Sequence, residues 1–518
     1  MNIVLVILEV SSKQQYIFGS KKLSENALRS DQINYVTSDS FFKEVASEFY
    51  SEKDNMVYAG GGHTILQFKD REQAKKFINA VTNRVLHSFS SIELFATIED
   101  YNNDETPGQN LKRLASSLEA KKALRKTSFR QLSFGLEHLA EDNNQPENIF
   151  DNRYKVSIQP NKNIEPTTGW KYPSEFSKLK ITKGKNSGRE KSNFIAVIHI
   201  DGNSMGKRVD SIYESCNDSD KWEECCRKLR KFSEGIQTDF ESAFNETVKE
   251  VIKQMEMQVF ESEYEGCLPI RPVILAGDDV CFVSAGSIGL ECARVFLEKL
   301  SVKRNAADGG LYSACAGVAI VHEKYPFHRA YELSEALCSN AKKTGVSYDE
   351  SGSISMIDWH IEFGQLKDGL ERIRDDYNTE DGEGRLELRP YVIKGESDKI
   401  YTVRRYRFFK AMVEGIKGES GKTARGKIKA MRTAFKQGII ESQFTMNNKQ
   451  INDLSYHIIE SKYLDGYIRA MCESRDRESE RKAFAGCGED KKRCLYFDAI
   501  EMIDNFISFR SENDKEEA

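Results

Sequence analysis

Two adjacent aspartates, Asp278 and Asp279, sit inside the run VILAGDDVCF, with buried-strand sequence on either side. A third, Asp201, ends the apolar run FIAVIHI. An Asp–Asp pair by itself is ordinary turn chemistry, because Asp hydrogen-bonds its own backbone. The apolar flanks and the distant strand-terminal Asp–Gly change that reading. If the two strands are neighbours, three carboxylates converge at one sheet edge, where like charges raise each other's pKa and oppose folding. Hard divalent cations relieve the repulsion, and Mg²⁺ takes a few carboxylates while leaving other positions to water and phosphate oxygens. Two such ions about 3.5–4 Å apart activate an attacking hydroxyl and neutralise a departing pyrophosphate, so no protein general base is needed. Asp201, Asp278 and Asp279 are therefore the candidate catalytic residues and the candidate ligands of two Mg²⁺ or Mn²⁺ ions. Gly277 keeps the turn tight and lets a triphosphate approach the backbone.

The elements that must position them appear twice. Residues 1–98 read as a strand (Ile3–Val10), a helix-prone stretch through Phe41–Phe49, a hairpin around Gly60–Gly62, a helix (Arg71–Leu86) and a strand (Ile92–Ile98). Leu111, Leu114, Leu118 and Leu124 continue at helical spacing. The stretch 141–190, rich in Asn, Pro and charge, reads as a connector. Then the order βαββαβ returns: Phe194–Ile200, the long amphipathic pattern Trp222–Val259, a hairpin around Gly277–Asp279, Leu290–Leu300, Tyr312–Val321, and a helix from Phe327 to Lys343 with a short strand at Ser353–Ile357. The letters match weakly, VILEVSS against VIHIDGN and YAGGGHTIL against LAGDDVCFV. The order matches well, and the period is far too long for a solenoid.

In a βαββαβ sheet the first strand lies beside the central hairpin, which would bring Asp201 to the acidic turn. The expected class is α+β, with ferredoxin-like domains at 1–140 and 191–360, the connector at 141–190 and a helical C-terminal domain at 361–518. The first copy carries Gly62 and His63 where the second carries its acidic pair.

Composition narrows the function classes. At 518 residues the chain exceeds one ordinary core. A net charge of -5 with mixed signs does not suit a protein that coats nucleic acid, so any polyanion contact must be local. Eleven cysteines without a CxxC pair suit reduced, buried thiols in a cytoplasmic protein. MNIVLVILEV is too short for a membrane span and lacks a basic lead-in, so a buried first strand and no membrane partner are expected.

IHIDGNSMGK, LAGDDV and AGVAIVHEKYPFHRAYELSEALCSNAKK together resemble the palm domain of the large, polymerase-like subunit of type III CRISPR effector complexes. The first copy, with Gln-Tyr-Ile-Phe at 15–18 and Gly60–Gly62, is similar in style, as is TARGKIKAMRTAFKQG in the C-terminal third. The resemblance implies two palm domains related to GGDEF nucleotide cyclases. It implies synthesis of cyclic oligonucleotides, chiefly oligoadenylates, from ATP in antiviral defence, with RNA or effector-complex subunits as partners. Asp278 and Asp279 fill the acidic pair of the Gly-Gly-Asp-Asp signature, with Ala276 in place of its first glycine. Asp201 fills the strand-one metal position, Gly202, Asn203, Ser204, Met205 and Gly206 form the loop under the phosphates, and Lys342 matches a helical lysine near the triphosphate.

The charged copy would hold metals and donor, while Gly60, Gly61 and Gly62 would hold the acceptor nucleotide on backbone amides. The alternative is a degenerate first copy that only packs. Asn203 stands where many relatives have a second Asp, and neither a His-Asp dipeptide nor a cysteine cluster occurs, so a free-standing or divergent synthase is expected. Two other readings stay open: a GGDEF-type cyclic dinucleotide synthase, and an inert nucleotide- or RNA-binding sensor or scaffold.

Other signals are weaker. SGKTARGK at 420–427 lacks the preceding strand and the first glycine of a phosphate loop. The basic stretch Arg404–Arg432, interleaved with Tyr406, Phe408 and Phe409, could contact RNA or serve as a solvated helix face. His199 is expected to point away from the face of Asp201, and His63 either stacks on a base or closes a turn.

Overall fold

The computed structural model describes residues 3–89, 91–124, 169–183, 192–218, 221–364, 369–400, 402–419, 425–448, 483–485 and 491–510. Most of the expected connector, the helical continuation beyond 124, most of SGKTARGK and the acidic tail lie outside them.

The first palm begins with β1 (Val4–Ser11), whose run VLVIL is apolar at every position because both faces are covered. Val4, Val6, Leu8 and Val10 pack with Phe41, Phe42 and Phe77, while Leu5 and Ile7 join Leu111, Leu114 and Trp222. Helices α1 (Lys13–Ile17), α2 (Leu23–Val36), α3 (Asp39–Ala46) and α4 (Glu52–Asn55) lead into the hairpin β2 (Met56–Gly60) and β3 (His63–Phe68). Helix α5 (Arg71–Ser88), β4 (Glu93–Asp100) and α6 (Pro107–Ala123) follow, the last opened by a Thr106/Gln109 capping box. The four-stranded order is β2-β3-β1-β4.

A short strand β5 (Ile181–Lys183) precedes the second palm, which opens with β6 (Phe194–Gly202). Helix α7 (Met205–Ser215) and the 35-residue α8 (Trp222–Glu256) come next. Then β7 (Phe260–Ser262) pairs with β5, and the hairpin β8 (Ile270–Ala276) and β9 (Asp279–Ala285) leads to α9 (Gly289–Ser301), β10 (Ala314–His322), α10 (Phe327–Tyr348) and β11 (Ser355–Ile361). Its sheet runs β13-β11-β10-β6-β9-β8. The ferredoxin-like order β8-β9-β6-β10 is thus extended by β11, parallel to β10, and by β13 (Tyr391–Lys394), which comes from beyond residue 360.

Helix α10 lies so close to β10 that a Cβ on Gly317 would stand 1.9 Å from the Ser334 carbonyl oxygen and 2.4 Å from the Cys338 nitrogen. Both obstacles are backbone, so neither can swing aside. Gly317→Ala is expected to cost about 3 kcal/mol of stability, read as a lower denaturant midpoint, because overpacking against a rigid wall forces the helix off the sheet.

The C-terminal part contributes α11 (Leu370–Asp375), β12 (Gly384–Arg385), α12 (Tyr406–Glu419), α13 (Arg425–Gln437), α14 (Ile439–Asn448), β14 (Phe484–Ala485), β15 (Lys492–Cys494) and α15 (Phe497–Met502). Charged residues weld it to the palm. Buried Glu291 on α9 takes Arg294, Lys410, the Tyr406 hydroxyl and the Phe509 amide. Arg389 meets Glu501 at 2.6 Å in the interior. The described part of the basic stretch is largely spent on such contacts. Arg404 reaches the Leu388 carbonyl, Lys417 the Phe506 carbonyl, and Lys429 pairs with Asp504. Tyr406, Phe408 and Phe409 are buried, so these three rings offer no stacking platform to a base.

Candidate active site

The strand register sets the site. Asp201 on β6 stands directly opposite Asp279 on β9, and the Gly202 amide donates to the Asp278 carbonyl at 3.2 Å. Asp278 lies in the turn, beside Gly277, whose φ of +69° is the left-handed region that glycine occupies freely. A Cβ on Gly202 would come within 2.7 Å of the Met205 side chain and 3.0 Å of Asp278 Cβ, so only glycine lets the doublet sit against the strand end.

Charge crowds this edge. Burial, then the Asp201 charge, push Asp278 up to about 6, and the same two causes push Asp279 up to about 7. Solvent reaches 40% of the Asp201 side chain and 47% of that of Asp279, so the edge is partly open to water. The Asp279 Oδ1 atom itself is buried without a hydrogen-bond donor. Lys342 on α10 places Nζ 2.6 Å from Asp201 Oδ2 and donates to the Gly202 carbonyl at 2.8 Å.

His199 corrects a sequence expectation. Residues two apart on a strand share a face, so His199 lies on the side of Asp201, with Nδ1 3.6 Å from Asp279 Oδ1. Burial lowers its pKa, which keeps the ring neutral.

The remaining candidates divide. Asn203 is buried and pins the loop, its Nδ2 donating to the Ile354 carbonyl at 2.9 Å. The Ser204 hydroxyl is committed to the Ser351 carbonyl at 2.9 Å. Gly206, in the first turn of α7, has open space around it, and the free amides of that helix start face the loop's end. In the first palm, Gly60 and Gly62 are crowded: added Cβ atoms would meet Ser233 Oγ at 3.0 Å and Ile33 Cγ2 at 2.7 Å. Gly61 lies against the second palm, 3.6 Å from the Ala276 carbonyl by the same measure, and its own carbonyl accepts from Lys13 Nζ at 2.5 Å. The two turns are back to back.

The register also reveals what the letters hid. Glu9 stands opposite His63, and the Val10 amide donates to the Gly62 carbonyl at 3.0 Å. Glu9, His63 and Gly62 therefore occupy the places of Asp201, Asp279 and Asp278. Lys122, on the helix after β4, pairs with Glu9 at 2.8 Å, as Lys342, on the helix after β10, pairs with Asp201. The first copy is not uncharged, because its strand-one carboxylate remains, neutralised by a lysine. Burial pushes His63 down to about 4, so it is neutral, and its Nδ1 faces the Tyr58 hydroxyl at 3.3 Å, which makes it a turn-closing residue here.

Do these residues suit hard divalent cations? Among the described residues no group of three His, Cys, Asp or Glu side chains is placed to hold a metal ion, Asp201, Asp278 and Asp279 included. Oxygen-only donors, an orphaned Asp279 oxygen and carboxyls pushed toward neutrality fit an open site instead, one completed by water and phosphate. A separate cavity of about 510 Å³, lined by His360, Tyr377, Arg432 and Phe497, lies at the far end of β11 and takes no part in this site.

Residues 194–349 match the family described as Cas10/Cmr2, second palm domain. The second palm is Cas10-like. Among solved structures, the Csm1–Csm4 cassette in complex with cA3 aligns at TM-score 0.52 and 14% identity, over 97% of this chain and 69% of that one. The cassette with cA4 gives 0.52 and 13%, over 98% and 70%. Csm1 of T. onnurineus gives 0.50 and 13%, over 97% and 69%. No curated protein matches. At such identities the likeness speaks to fold alone. Within the Cas10-like palm the match spans β6, the acidic turn and α10, the three elements that carry Asp201, Asp278, Asp279 and Lys342. Among the described residues no helix is long and apolar enough to cross a membrane.

Proposed function

We propose that the chain is a metal-dependent nucleotidyltransferase that joins ATP into cyclic oligoadenylate second messengers in antiviral defence, releasing pyrophosphate. The observation that carries this is the direct cross-strand pairing of Asp201 with Asp279, with Asp278 at the adjoining turn. Solved structures of similar fold are described in complex with cA3, cA4 and AMPPNP, ligands of the class this reading calls for. Asp201, Asp278 and Asp279 would hold two Mg²⁺ or Mn²⁺ ions, which when bound supply activation of the attacking hydroxyl and neutralisation of the pyrophosphate.

The chain's own groups do the rest. The α7 start offers backbone amides to the donor triphosphate, and Lys342 adds positive charge beside the same edge. The first palm's turn, held against the second at Ala276, would present the acceptor so that its 3′-oxygen meets the α-phosphorus. A P–O bond forms there, the bridging bond to the β-phosphate breaks, and pyrophosphate leaves as the hydroxyl proton passes to solvent.

One observation favours a second reading. Asp201 already has a cationic partner in Lys342, which suits a nucleotide-binding sensor that does not turn over. Incubation with labelled ATP and GTP plus Mn²⁺, read by mass spectrometry, separates the readings. Cyclic oligoadenylate that disappears with EDTA is the expected result. Cyclic di-GMP would assign the GGDEF-type chemistry. Thermal stabilisation by ATP without product would establish the sensor. The cassettes of the solved relatives, which pair Csm1 with Csm4, make an effector-complex subunit the partner to test by co-purification.

A further inference from the structure

Both sheets end on the hairpin strands β2 and β8, whose outward backbone groups have no strand partner among the described residues. Helix α8 is wedged between these two edges and satisfies both. Ser233 Oγ donates to the Ala59 carbonyl at 3.1 Å, beside the glycine turn. One helical turn later, Gln237 grips the acidic turn from both sides. Its Oε1 accepts from the Gly277 amide at 2.6 Å, and its Nε2 donates to the Leu275 carbonyl at 3.2 Å. A primary amide carries one acceptor and one donor side, so it replaces the missing strand residue at the point where the chain bends toward Asp278. Glu241, a turn further on, accepts from the same Nε2 and fixes the amide's orientation.

Positions four apart share a helix face, so Ser233 and Gln237 form one stiff strut. The turns also lie close together, since a Cβ built on Gly61 would stand 3.6 Å from the Ala276 carbonyl oxygen. We propose that Gln237 is a positioning residue for Asp278 and Asp279 and that, with Ser233, it makes the two turns a single mechanical unit. The two nucleotides would then meet at a separation fixed by α8. The kinetic consequence rests on the nucleotidyltransferase reading, while the mechanical claim does not.

The test uses the full chain and two variants, Gln237→Met, which keeps length without hydrogen bonds, and Ser233→Ala. Amide hydrogen exchange is followed by mass spectrometry in peptides spanning 273–282 and 56–68. Gln237→Met is expected to speed exchange about tenfold at the acidic turn and about threefold at the glycine turn, since local opening of one releases the other. Ser233→Ala is expected to show the converse asymmetry. Changes confined to the substituted turn would overturn the mechanical claim. For turnover, Gln237→Met is expected to lower kcat about tenfold with KM for ATP within about twofold, the signature of misplaced reacting groups. A raised KM with unchanged kcat would overturn the positioning role. If the parent chain makes no product, the synthase reading fails and the exchange data alone decide the coupling.

Discussion

Asp278→Asn combined with Asp279→Asn is expected to reduce pyrophosphate release from ATP by at least about 10³-fold, because the carboxylates that would hold the metal ions are gone while the shape remains. The same variant is expected to be more stable than the parent at pH 8 without divalent cations. Both carboxyls have folded-state values raised above the ordinary range, to about 6 and about 7. Ionisation therefore opposes folding above those values, and the penalty fades as pH falls through them toward the unfolded value near ~4. Thermal melts from pH 8 to pH 4 should show the stability gain shrinking on acidification. Saturating Mn²⁺ should restore stability to the parent and leave the variant unmoved. Product formation by the variant, or melts that coincide at every pH, would remove the acidic edge from the mechanism. Such opposition between stability and activity is what a charged site built for an absent counter-ion must show.

The first palm shows how the same fold escapes that penalty. Glu9 keeps the strand-one carboxylate, yet a neutral His63 stands opposite and Lys122 pairs with it. Lys13, which burial holds below its ordinary value, adds a second nearby cation and reaches the Gly61 carbonyl. One acid and two ammonium groups need no metal. In the second palm the three aspartates and Glu335 face Lys342 and the same Lys13, and the excess is negative. The difference between the copies is therefore one of charge balance at identical backbone positions.

Much of this was legible from letters because periodicity and turn chemistry are local. The acidic turn, the strand-terminal Asp201 and the repeated βαββαβ order follow from apolar runs broken by glycine and aspartate. What failed did so through register. Setting VILEVSS against VIHIDGN aligns Val10 with Asp201, whereas the backbone pairing aligns Glu9, and a slip of one residue moves every side chain to the other face. The same alternation was misapplied to His199. Lys13, Lys122 and Gln237 were illegible for another reason: each acts on an element distant in sequence, and nothing near it announces the partner. The basic stretch misled because long side chains on a helix look solvated until the C-terminal strands and helices pack over them.

Lys342→Met is expected to lower kcat/KM for ATP by about 10²-fold, the second-largest effect in the chain. The ammonium sits 2.6 Å from Asp201 and on the Gly202 carbonyl, one residue before the loop that leads into α7. If it serves the triphosphate, its removal leaves phosphate charge unmet and catalysis falls even at saturating Mn²⁺. If it is only a counter-ion for Asp201, its removal makes the edge more negative, so Mn²⁺ binds more tightly and turnover at saturation is unchanged or faster. Both arms share one electrostatic consequence: the Lys342 charge holds Asp278 and Asp279 down, so losing it drives both carboxyls further toward neutrality. At a pH where both carboxyls are still ionised, half-saturating Mn²⁺ should fall in either case because one repelling cation is gone, and only the rate at saturation distinguishes the roles. A variant as fast as the parent would assign Lys342 to the resting edge alone and leave the phosphates to the start of α7.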